Sequence, residues 1–339
     1  MKNKLKLLKS KFNYILDLRK ENFPKIVHAI KSQIKARILG YPNEIMIEPI
    51  NICNLNCALC SAPQKYITRK RLAMTLENFK IIIDDVKKYA HSIYLSNAGE
   101  PMLNKDIFKM IEYASKNNLS TSLSTNATLL HTAAIRHLLY SGLDHLIISL
   151  DGATKHSYEK FRVGARFENV IENIKNLCNE KRRLRKAKPY IELQFIVTRY
   201  NENEIEDINK LAEKMGVDRL HFKSLYLCSH VYGSDERERL AEEYLPKRKD
   251  VKNRYEVSDG ITICKWRSAT CSYWQNRSVI LADGTVVMCC YDINGDFALG
   301  NILEEGKSFR DIWNSEKYKN YRNNLMYNKK LPLCKKCDE

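Results

Sequence analysis

Short apolar and β-branched runs alternate with longer amphipathic patterns from residue 44 to about residue 225. Short runs bounded by polar residues predict strands, whereas apolar positions at three- and four-residue steps predict helices. The six predicted strands are Glu44–Ile50, Ser92–Ser96, Ser120–Ser124, His145–Leu150, Tyr190–Val197 and Asp218–Ser224. The helical patterns between them cover residues 75–90, 104–118, 130–141, 167–186 and 202–215.

Six strand–helix units predict a parallel sheet with right-handed crossovers. Because a closed TIM barrel has eight such units, we expect an open, partial (β/α)6 TIM-like barrel over residues 44–225, which is an α/β fold. In barrels of this kind the active site lies at the carboxyl ends of the strands. Residues that follow the predicted strands are therefore the first place to look for chemistry.

The first 43 residues form a separate unit. Leu5, Leu8, Phe12 and Ile15 recur at helical spacing, which predicts a basic amphipathic helical extension. Eleven Lys and Arg residues against two acidic ones precede residue 40. One interpretation is peripheral contact with an anionic surface, and the other is a helix packed on the barrel with its lysines in water.

A charged helical run and a basic stretch interrupt the alternation at residues 226–260, which we assign to a linker. Beyond the linker, the run SVILADGTVVMCC predicts a β-hairpin with Asp283 and Gly284 at its turn. Residues 308–327 predict helix. Residues 261–339 are therefore expected to form a small α+β C-terminal domain.

Composition excludes several classes of protein. A chain of 339 residues with 44% hydrophobic and 29% charged residues is neither disordered nor collagen-like. No apolar run approaches the roughly 20 residues of a membrane helix, and the N-terminus lacks the apolar core of a secretory signal. We expect a cytoplasmic protein. The net charge is +17, but a second basic run at 181–188 ends a predicted helix, so no nucleic-acid partner is expected.

The eleven cysteines are clustered. In a reducing compartment and in a chain of this length, they indicate metal binding or catalysis rather than disulfides. Three lie in the run CNLNCALC, at Cys53, Cys57 and Cys60. Six follow residue 260, namely Cys264, Cys271, Cys289, Cys290, Cys334 and Cys337. This distribution predicts two metal sites on two structural units.

The first three cysteines form a C-x3-C-x2-C motif directly after the first predicted strand. Three thiolates can hold three irons of a [4Fe–4S] cluster and leave the fourth iron open. Zinc also accepts thiolates, but it usually takes a fourth protein ligand. An open coordination position favours reactivity.

The motif on a six-unit α/β domain resembles the radical S-adenosylmethionine (SAM) superfamily. In NAGEP, Gly99 and Glu100 follow the second strand and are similar to the family's GGEP motif, which binds the methionine amino group. Ala98 replaces the first glycine of that motif, and Leu59 stands where the family often has an aromatic residue before the third cysteine.

Further segments resemble the family at the ends of later strands. The resemblance assigns polar contacts to SAM to Asn126, Ser149, Asp151 and Arg162. After the fifth strand, Ile196 and Val197 fall where the family contacts adenine. The resemblance implies reductive cleavage of SAM to a 5′-deoxyadenosyl radical that abstracts hydrogen from a substrate.

The later cysteines resemble the SPASM/twitch extension of the same superfamily. Cys271, Cys289, Cys334 and Cys337 would ligate one auxiliary [4Fe–4S] cluster, making this a C-terminal Fe–S domain. A structural zinc site with four cysteines is the alternative. Cys264 is an alternative ligand in place of one of the four.

The remaining candidates are thiols and acid/base groups. Cys228 and Cys290 could donate a hydrogen atom to a substrate radical, or could be inert small hydrophobic residues. Cys178 lies within a predicted helix and is expected in the core. The candidate acid/base groups are Asp292, Glu192, His221 and Lys223. Which face of the strands points into the barrel is not decided by the sequence.

We therefore expect a radical SAM oxidoreductase. Its substrate would be a small polar metabolite of the sugar or cyclitol type, or a peptide, and its electron donor a flavodoxin or ferredoxin. The alternatives are a radical epimerase with a cysteine hydrogen donor, a peptide-modifying maturase, and a non-catalytic metal-binding scaffold.

Overall fold

The computed structural model describes residues 23–60, 66–227, 233–251, 253–258, 261–265, 271, 276–327, 329–335 and 337. The predicted helix around Leu5, Leu8, Phe12 and Ile15 lies outside these residues, as does Cys228. The first described element is helix α1, Phe23–Leu39. None of the described helices is long and apolar enough to cross a membrane.

Strands and helices alternate through the barrel region. The strands are β1 Glu44–Ile47, β2 Ser92–Leu95, β3 Ser120–Thr125, β4 His145–Ser149, β5 Tyr190–Val197 and β6 Arg219–Ser224. The helices are α2 Leu76–Val86, α3 Ile107–Lys116, α4 Thr132–Tyr140, α5 Lys155–Phe161, α6 Phe167–Arg183 and α7 Ile205–Met215. Neighbouring strands from β1 to β6 pair in parallel and in chain order. The expected partial barrel is confirmed.

The C-terminal part contributes the remaining elements. They are α8 Ser234–Tyr244, β7 Tyr255–Ser258, β8 Ile261–Cys264, β9 Arg277–Ile280, β10 Thr285–Val287, β11 Gly300–Asn301, α9 Phe309–Trp313, α10 Glu316–Met326 and α11 Pro332–Lys335. Strands β7 and β8 form a separate antiparallel pair. The stretch that we assign to a linker thus contains α8 and β7.

The predicted hairpin around Asp283 and Gly284 forms as β9 and β10, and it does not stand alone. Strand β9 pairs in parallel with β1, from Glu44 opposite Arg277 to Ile47 opposite Ile280. The strand order of the whole sheet is therefore β11-β10-β9-β1-β2-β3-β4-β5-β6. This pairing places the hairpin, which Cys289 and Cys290 follow, beside β1, the strand that the first cysteine motif follows.

The two faces of the sheet differ in polarity. Side chains such as Ile45, Leu95, Leu123 and Leu193 are buried and pack with helix residues in one hydrophobic core. Because side chains alternate along a strand, the residues next to these in each strand point to the opposite face, into the barrel. That inner face carries polar groups, including Glu192 on β5.

Candidate functional site

The loop with the first three cysteines leaves the carboxyl end of β1 and is held by backbone hydrogen bonds. The N–H of Asn56 donates to the carbonyl of Val163 at 2.9 Å, and the N–H of Ala58 donates to the carbonyl of Phe161 at 3.1 Å. Both acceptors lie at the end of α5, which follows the fourth strand. The loop is therefore fixed against the segment that carries Arg162.

Two of the three thiols already accept hydrogen bonds. The N–H of Leu55 donates to Sγ of Cys53 at 3.4 Å, and Nη1 of Arg162 donates to Sγ of Cys57 at 3.6 Å. Burial raises the pKa of the Cys53 thiol, and the nearby Cys57 adds to this. Across the described part of the chain, no three His, Cys, Asp or Glu side chains are gathered closely enough to hold a metal ion. The donor chemistry, soft thiols with a cation beside them, is that of an iron–sulfur ligand set.

Gly99 brings the second loop against this one. Its φ is +80°, and a Cβ there would lie 2.4 Å from the carbonyl oxygen of Ile50 and 2.7 Å from that of Ile52. The next residue, Glu100, donates its N–H to the carbonyl of Ile52 at 2.9 Å. Only glycine permits this close approach of two backbones, because a side chain would meet rigid carbonyl groups.

The carboxylate of Glu100 is buried and accepts three hydrogen bonds. It accepts hydrogen bonds from the hydroxyl of Thr125 at 2.7 Å, from the N–H of Asn126 at 2.8 Å and from the N–H of Met102 at 3.1 Å. Burial raises its pKa, whereas these donors oppose the shift. Glu100 thus joins the loops that follow β2 and β3.

Asn126 connects its own loop to the cysteine loop. Its amide nitrogen donates to Oδ1 of Asn54 at 3.0 Å, and its amide oxygen accepts from the N–H of Thr128, also at 3.0 Å. The side chain of Asn54 in turn donates to the hydroxyl of Thr128 at 2.8 Å. These bonds fix the position of Asn126 at the carboxyl end of β3.

Asp151 and Arg162 form a buried ion pair. Nε of Arg162 donates to Oδ2 of Asp151 at 2.6 Å, while Oδ1 accepts from the N–H of Ile196 at 2.6 Å. Burial alone would lower the pKa of the Arg162 guanidinium, but Asp151 and Cys57 outweigh it and raise the pKa. One carboxylate therefore links the ends of β4 and β5 to the cation beside Cys57.

The other predicted contacts divide between the two faces of the sheet. Ser149 ends β4 on the inner face, half-buried, opposite Gln194. The side chain of Val197 packs in the helix-facing core, so only its backbone faces a ligand at the strand ends. Ile196 instead packs in an apolar cluster with Leu59. Leu59 thus supplies apolar contact where an aromatic residue is frequent.

Three buried polar atoms around these strand ends lack a hydrogen-bond partner: Nδ2 of Asn97, the hydroxyl of Tyr158 and the hydroxyl of Thr198. All three residues are among those that the structure describes. A buried polar atom without a partner costs roughly 1–3 kcal/mol. Tyr158 lies close enough to Cys57, Asp151 and Arg162 for their charges to affect its pKa, which burial raises. Polar atoms of this kind fit a bound polar cofactor that completes their hydrogen bonds.

The later cysteines approach one another in pairs. Burial raises the pKa of Cys334, with Cys271 close enough to contribute. A hydrogen bond with Cys290, followed by burial, raises the pKa of Cys289, and Cys337 also contributes. Cys264 lies on β8, opposite Tyr255. The thiol set suits an iron–sulfur cluster or zinc.

The candidate catalytic groups lie in different environments. Cys290 is half-buried and packs against the apolar cluster of Val279, Leu281 and Val287 on the sheet's inner side, against which Met46 of the first strand also packs. The carboxylate of Asp292 accepts N–H groups of Asp296 at 2.9 Å and Phe297 at 3.0 Å, which is the geometry of a turn-stabilising side chain. Cys178 is buried in α6, within the helix-facing core.

The inner face of the barrel carries groups that the sequence could not assign. Glu192 is 4% exposed and contacts Nδ1 of His221 at 3.2 Å and Nη1 of Arg219 at 3.2 Å. Across the sheet, the hydroxyl of Tyr94 hydrogen bonds with Ser124 and Ser96, and burial raises its pKa, with Cys290 and Glu192 both near. The inner face therefore combines hydroxyl, carboxylate, imidazole and thiol groups.

Sequence reasoning missed four residues that the structure places here: Tyr94, Thr125, Tyr158 and Arg69. The alternation of apolar and polar residues in SIYLSN could have indicated an inward Tyr94. Thr125 stands next to Asn126 and shares its strand end. No sequence signal identifies Arg69, because its partners lie on distant segments.

Comparison with known families agrees with this geometry. The model of the radical SAM superfamily matches residues 47–212, and the model of an iron–sulfur cluster-binding domain, SPASM, matches residues 271–338. The two matches cover the two groups of cysteines. The first domain implies a [4Fe–4S] cluster with SAM, and the second implies auxiliary iron–sulfur clusters.

Two curated relatives illustrate the range of similarity. A tungsten-containing aldehyde ferredoxin oxidoreductase cofactor-modifying protein of Pyrococcus furiosus is 24% identical over 86% of each chain. An AdoMet-dependent heme synthase of Methanosarcina barkeri is 30% identical over 50% of this chain and 46% of its own length. The chain spans about half the length, or less, of three of the first four such relatives.

Solved structures share the fold. Streptococcus suis SuiB bound to the precursor peptide SuiA superposes with a TM-score of 0.63 at 17% identity, over 87% of this chain and 70% of SuiB. BtrN in complex with AdoMet and 2-DOIA gives a TM-score of 0.54 at 17% identity, over 88% of this chain and 94% of BtrN. At these identities the likeness concerns architecture alone.

Proposed function

The chain belongs to the radical SAM superfamily and carries a SPASM-type iron–sulfur domain, and from this premise we propose that it is an oxidoreductase. It removes hydrogen from a small polar substrate of the sugar or cyclitol type, held inside the partial barrel. The observation that carries the proposal is the adjacency of Cys289 and Cys290. Cys289 belongs to the auxiliary cysteine set, and Cys290 packs at the barrel's inner face.

The residues that hold the first cofactor are proposed from the contacts above. Cys53, Cys57 and Cys60 supply the thiolates, and Glu100 and Asn126 hold the polar end of SAM with Arg162. Ser149 and Asp151 contact SAM at the end of β4, and the backbone of Val197 contacts it at the end of β5. When bound, the reduced cluster with SAM supplies a 5′-deoxyadenosyl radical, and the auxiliary cluster supplies a one-electron acceptor.

The protein side of the reaction is binding, orientation and proton transfer. Hydroxyl groups of Tyr94 and of the serines on β3 suit the hydroxyl groups of a polyol. Loss of a hydrogen atom from a carbinol carbon must be followed by loss of one electron and of the hydroxyl proton to give a carbonyl. We assign the proton acceptor to Glu192 with His221, since both are within 3.2 Å of one another on the inner face.

A flavodoxin or ferredoxin is the proposed source of the reducing electron, and contact of the basic N-terminal segment with an anionic surface remains a separate proposal.

The epimerase alternative is favoured by one observation, the inward position of Cys290. A thiol there could return a hydrogen atom to a substrate radical, giving a product isomeric with the substrate. One relative is named a cofactor-modifying protein, and one similar solved structure is bound to a precursor peptide. Larger substrates, and with them a peptide-modifying role, are therefore alternatives.

The experiment is product analysis with the reconstituted protein under reducing, anaerobic conditions. A panel of polyols and aminocyclitols is incubated with SAM in deuterated water, and each product mass is compared with its substrate. The proposal expects a product two hydrogens lighter, with one 5′-deoxyadenosine formed per product. An isomeric product with one solvent deuterium would replace it by epimerisation.

The variant Cys290→Ala separates the two chemistries, with Cys178→Ala as the matched control because that thiol lies in the core away from the cavity. Oxidation should survive both substitutions. Epimerisation would be lost in Cys290→Ala alone. If the reduced protein with a confirmed first cluster left SAM intact, the scaffold interpretation would stand instead.

A further inference from the structure

A cleft of about 960 Å³ lies beside α8. Its walls are α8, the segment at 245–253 and the antiparallel pair β7 and β8. Arg199, which follows β5, forms one end and is fixed there by two bonds. Its N–H donates to the carbonyl of Tyr244 at 2.9 Å, and its Nε donates to the carbonyl of Leu245 at 3.3 Å.

The cleft is lined by more cations than carboxylates. Three carboxylates line it, and one of them, Glu238, is engaged by Thr262 and Arg237. Six cationic side chains line the same cleft: Arg199, Arg239, Lys247, Arg248, Lys249 and Lys265. The lining therefore has a formal net charge of +3.

Several of these cations are available to a partner. Arg239 pairs with Glu243, and Arg248 pairs with Asp250. Within the described residues, Arg199, Lys247 and Lys249 form no ion pair. Lys247 and Lys249 are exposed at the rim, and Arg199 stands half-buried at one end. Unpaired cations around a concave surface attract an anionic partner and accelerate its association.

The floor of the cleft leads to the first cysteine loop. Ala241, Leu245 and Tyr255 are buried lining residues that belong to one apolar cluster. The same cluster contains Leu59, which lies between Cys57 and Cys60 in the chain. One continuous cluster of packed side chains therefore connects the floor of the cleft with the cysteine loop.

This packed cluster limits the functions that the cleft can have. None of residues 53–60 lines the cleft, whose floor includes the buried side chains of Leu245 and Tyr255. The reacting substrate therefore does not belong here. An electron, in contrast, needs proximity and not contact, and packed side chains exclude water from its path.

We propose that this basic cleft is the docking site for an acidic electron-transfer protein that reduces the cluster at Cys53, Cys57 and Cys60. The inference rests on the proposed function, which requires one electron for each SAM cleaved. In the docking step the donor is oxidised by one electron and the cluster goes from the 2+ to the 1+ state. No bond forms or breaks, and no proton is transferred.

The test uses the reconstituted full chain and a purified acidic flavodoxin as the probe. The variant carries Lys247→Glu with Lys249→Glu, which reverses two rim charges without touching the floor. The matched control carries Lys210→Glu with Lys214→Glu, two exposed lysines on α7 with the same change of charge. Binding is measured by biolayer interferometry at several salt concentrations, and 5′-deoxyadenosine is measured with flavodoxin or with dithionite.

The cleft variant should bind flavodoxin about tenfold or more weakly at low salt and show a flatter salt dependence, because fewer charge pairs form. Its dithionite-driven reaction should match the wild-type protein, and the control should match in both assays. Unchanged binding of flavodoxin by the cleft variant would overturn the proposal. Specific binding of inorganic phosphate in the cleft that flavodoxin does not compete with would also overturn the proposal. If the wild-type protein failed with both reductants while still binding flavodoxin, the proposed function would fail and the docking site would stand.

Discussion

The guanidinium of Arg162 donates a hydrogen bond to the sulfur of Cys57 across 3.6 Å, while its Nε is held by Asp151 at 2.6 Å. One side chain thus connects a proposed cluster ligand to the carboxylate at the end of β4. A cation beside a thiolate stabilises the ionised form that binds iron. The position of this cation depends on the planar, forked geometry of arginine.

Replacing Arg162 by lysine should therefore weaken both functions of the side chain. We expect Arg162→Lys to bind SAM about tenfold more weakly, because an ammonium cannot hold Asp151 and reach Cys57 together. Equilibrium dialysis of the reconstituted protein measures the dissociation constant. Arg166→Lys, at an exposed position four residues along, is the control and should bind as the wild-type protein does. Equal affinities in all three proteins would contradict the assigned role.

Gly99 offers a sharp test of loop packing. A Cβ at Gly99 would lie 2.4 Å from a carbonyl oxygen, so Gly99→Ala must displace the cysteine loop. Iron and sulfide bound at the first site should fall to less than about half. Gly306→Ala is the matched control, because Gly306 also has a positive φ, +73°, but nothing lies within 4 Å of its Cβ position. The control pays only the backbone strain of roughly 1–2 kcal/mol. Full iron content in Gly99→Ala would show that the loop does not depend on this approach.

Glu100 makes SAM binding depend on pH. Burial raises the pKa of its carboxyl group, and the ionised form is the one that pairs with an ammonium. Affinity for SAM should therefore fall as the pH is lowered through that raised pKa. We expect the dissociation constant to rise by about tenfold as the pH falls through that pKa. Glu100→Gln should bind weakly and without this pH dependence, whereas Glu112→Gln, on an exposed face of α3, should retain it. A pH-independent wild-type affinity would remove Glu100 from the binding site.

Arg69 and Glu48 form a buried ion pair at the end of the first barrel strand, and both residues also contact the C-terminal part of the chain. Nη2 of Arg69 lies 2.6 Å from Oε1 of Glu48, and its Nε donates to the carbonyl of Ile293 at 2.6 Å. The N–H of Ala282 donates to the same carboxylate at 3.2 Å. The pair thus connects the segment after the cysteine loop to the hairpin turn, through Ala282, and to the segment that follows Cys289, through Ile293.

Removal of the cation should destabilise the fold in a pH-dependent way. Burial already raises the pKa of Glu48 above its unfolded value, and Arg69→Met would raise it further. Stability from such a group is present below the unfolded pKa and is lost as the pH rises through the folded pKa. We expect a loss of about 3–5 kcal/mol at pH 7.5 that shrinks at pH 5.5, measured by urea unfolding. Arg277→Met removes an exposed pair with Glu44 and should cost less than about 1 kcal/mol at both pH values. Equal costs for the two variants would refute the buried pair's role.

Local signals in the sequence predict much of this fold. Strand β5 occupies the predicted residues Tyr190–Val197, and the other barrel strands differ from their predicted bounds by a few residues at most. These strands are recognisable because apolar alternation and the capping residues of the helices are local properties. The C-x3-C-x2-C motif is local as well, and so the first candidate site could be located before its geometry was known.

Long-range pairing could not be predicted in the same way. The hairpin at Asp283 and Gly284 is visible in the sequence, but its alignment beside β1 depends on contacts between residues far apart in the chain. The same holds for Arg69 with Glu48, which no spacing rule connects. The inward direction of Glu192 follows from which side of the sheet the helices cover, a tertiary property that one strand does not encode.

Cleavage of SAM by the three-cysteine site is the central claim, and 5′-deoxyadenosine formation tests it most directly. Wild-type protein and Cys57→Ala are reconstituted with iron and sulfide without oxygen, reduced with dithionite and incubated with SAM, and the nucleoside is measured by liquid chromatography. We predict steady formation by the wild-type protein and only background formation by Cys57→Ala. Equal formation by both proteins, or none by a wild-type protein whose reduced [4Fe–4S] signal is confirmed by electron paramagnetic resonance, would contradict the account.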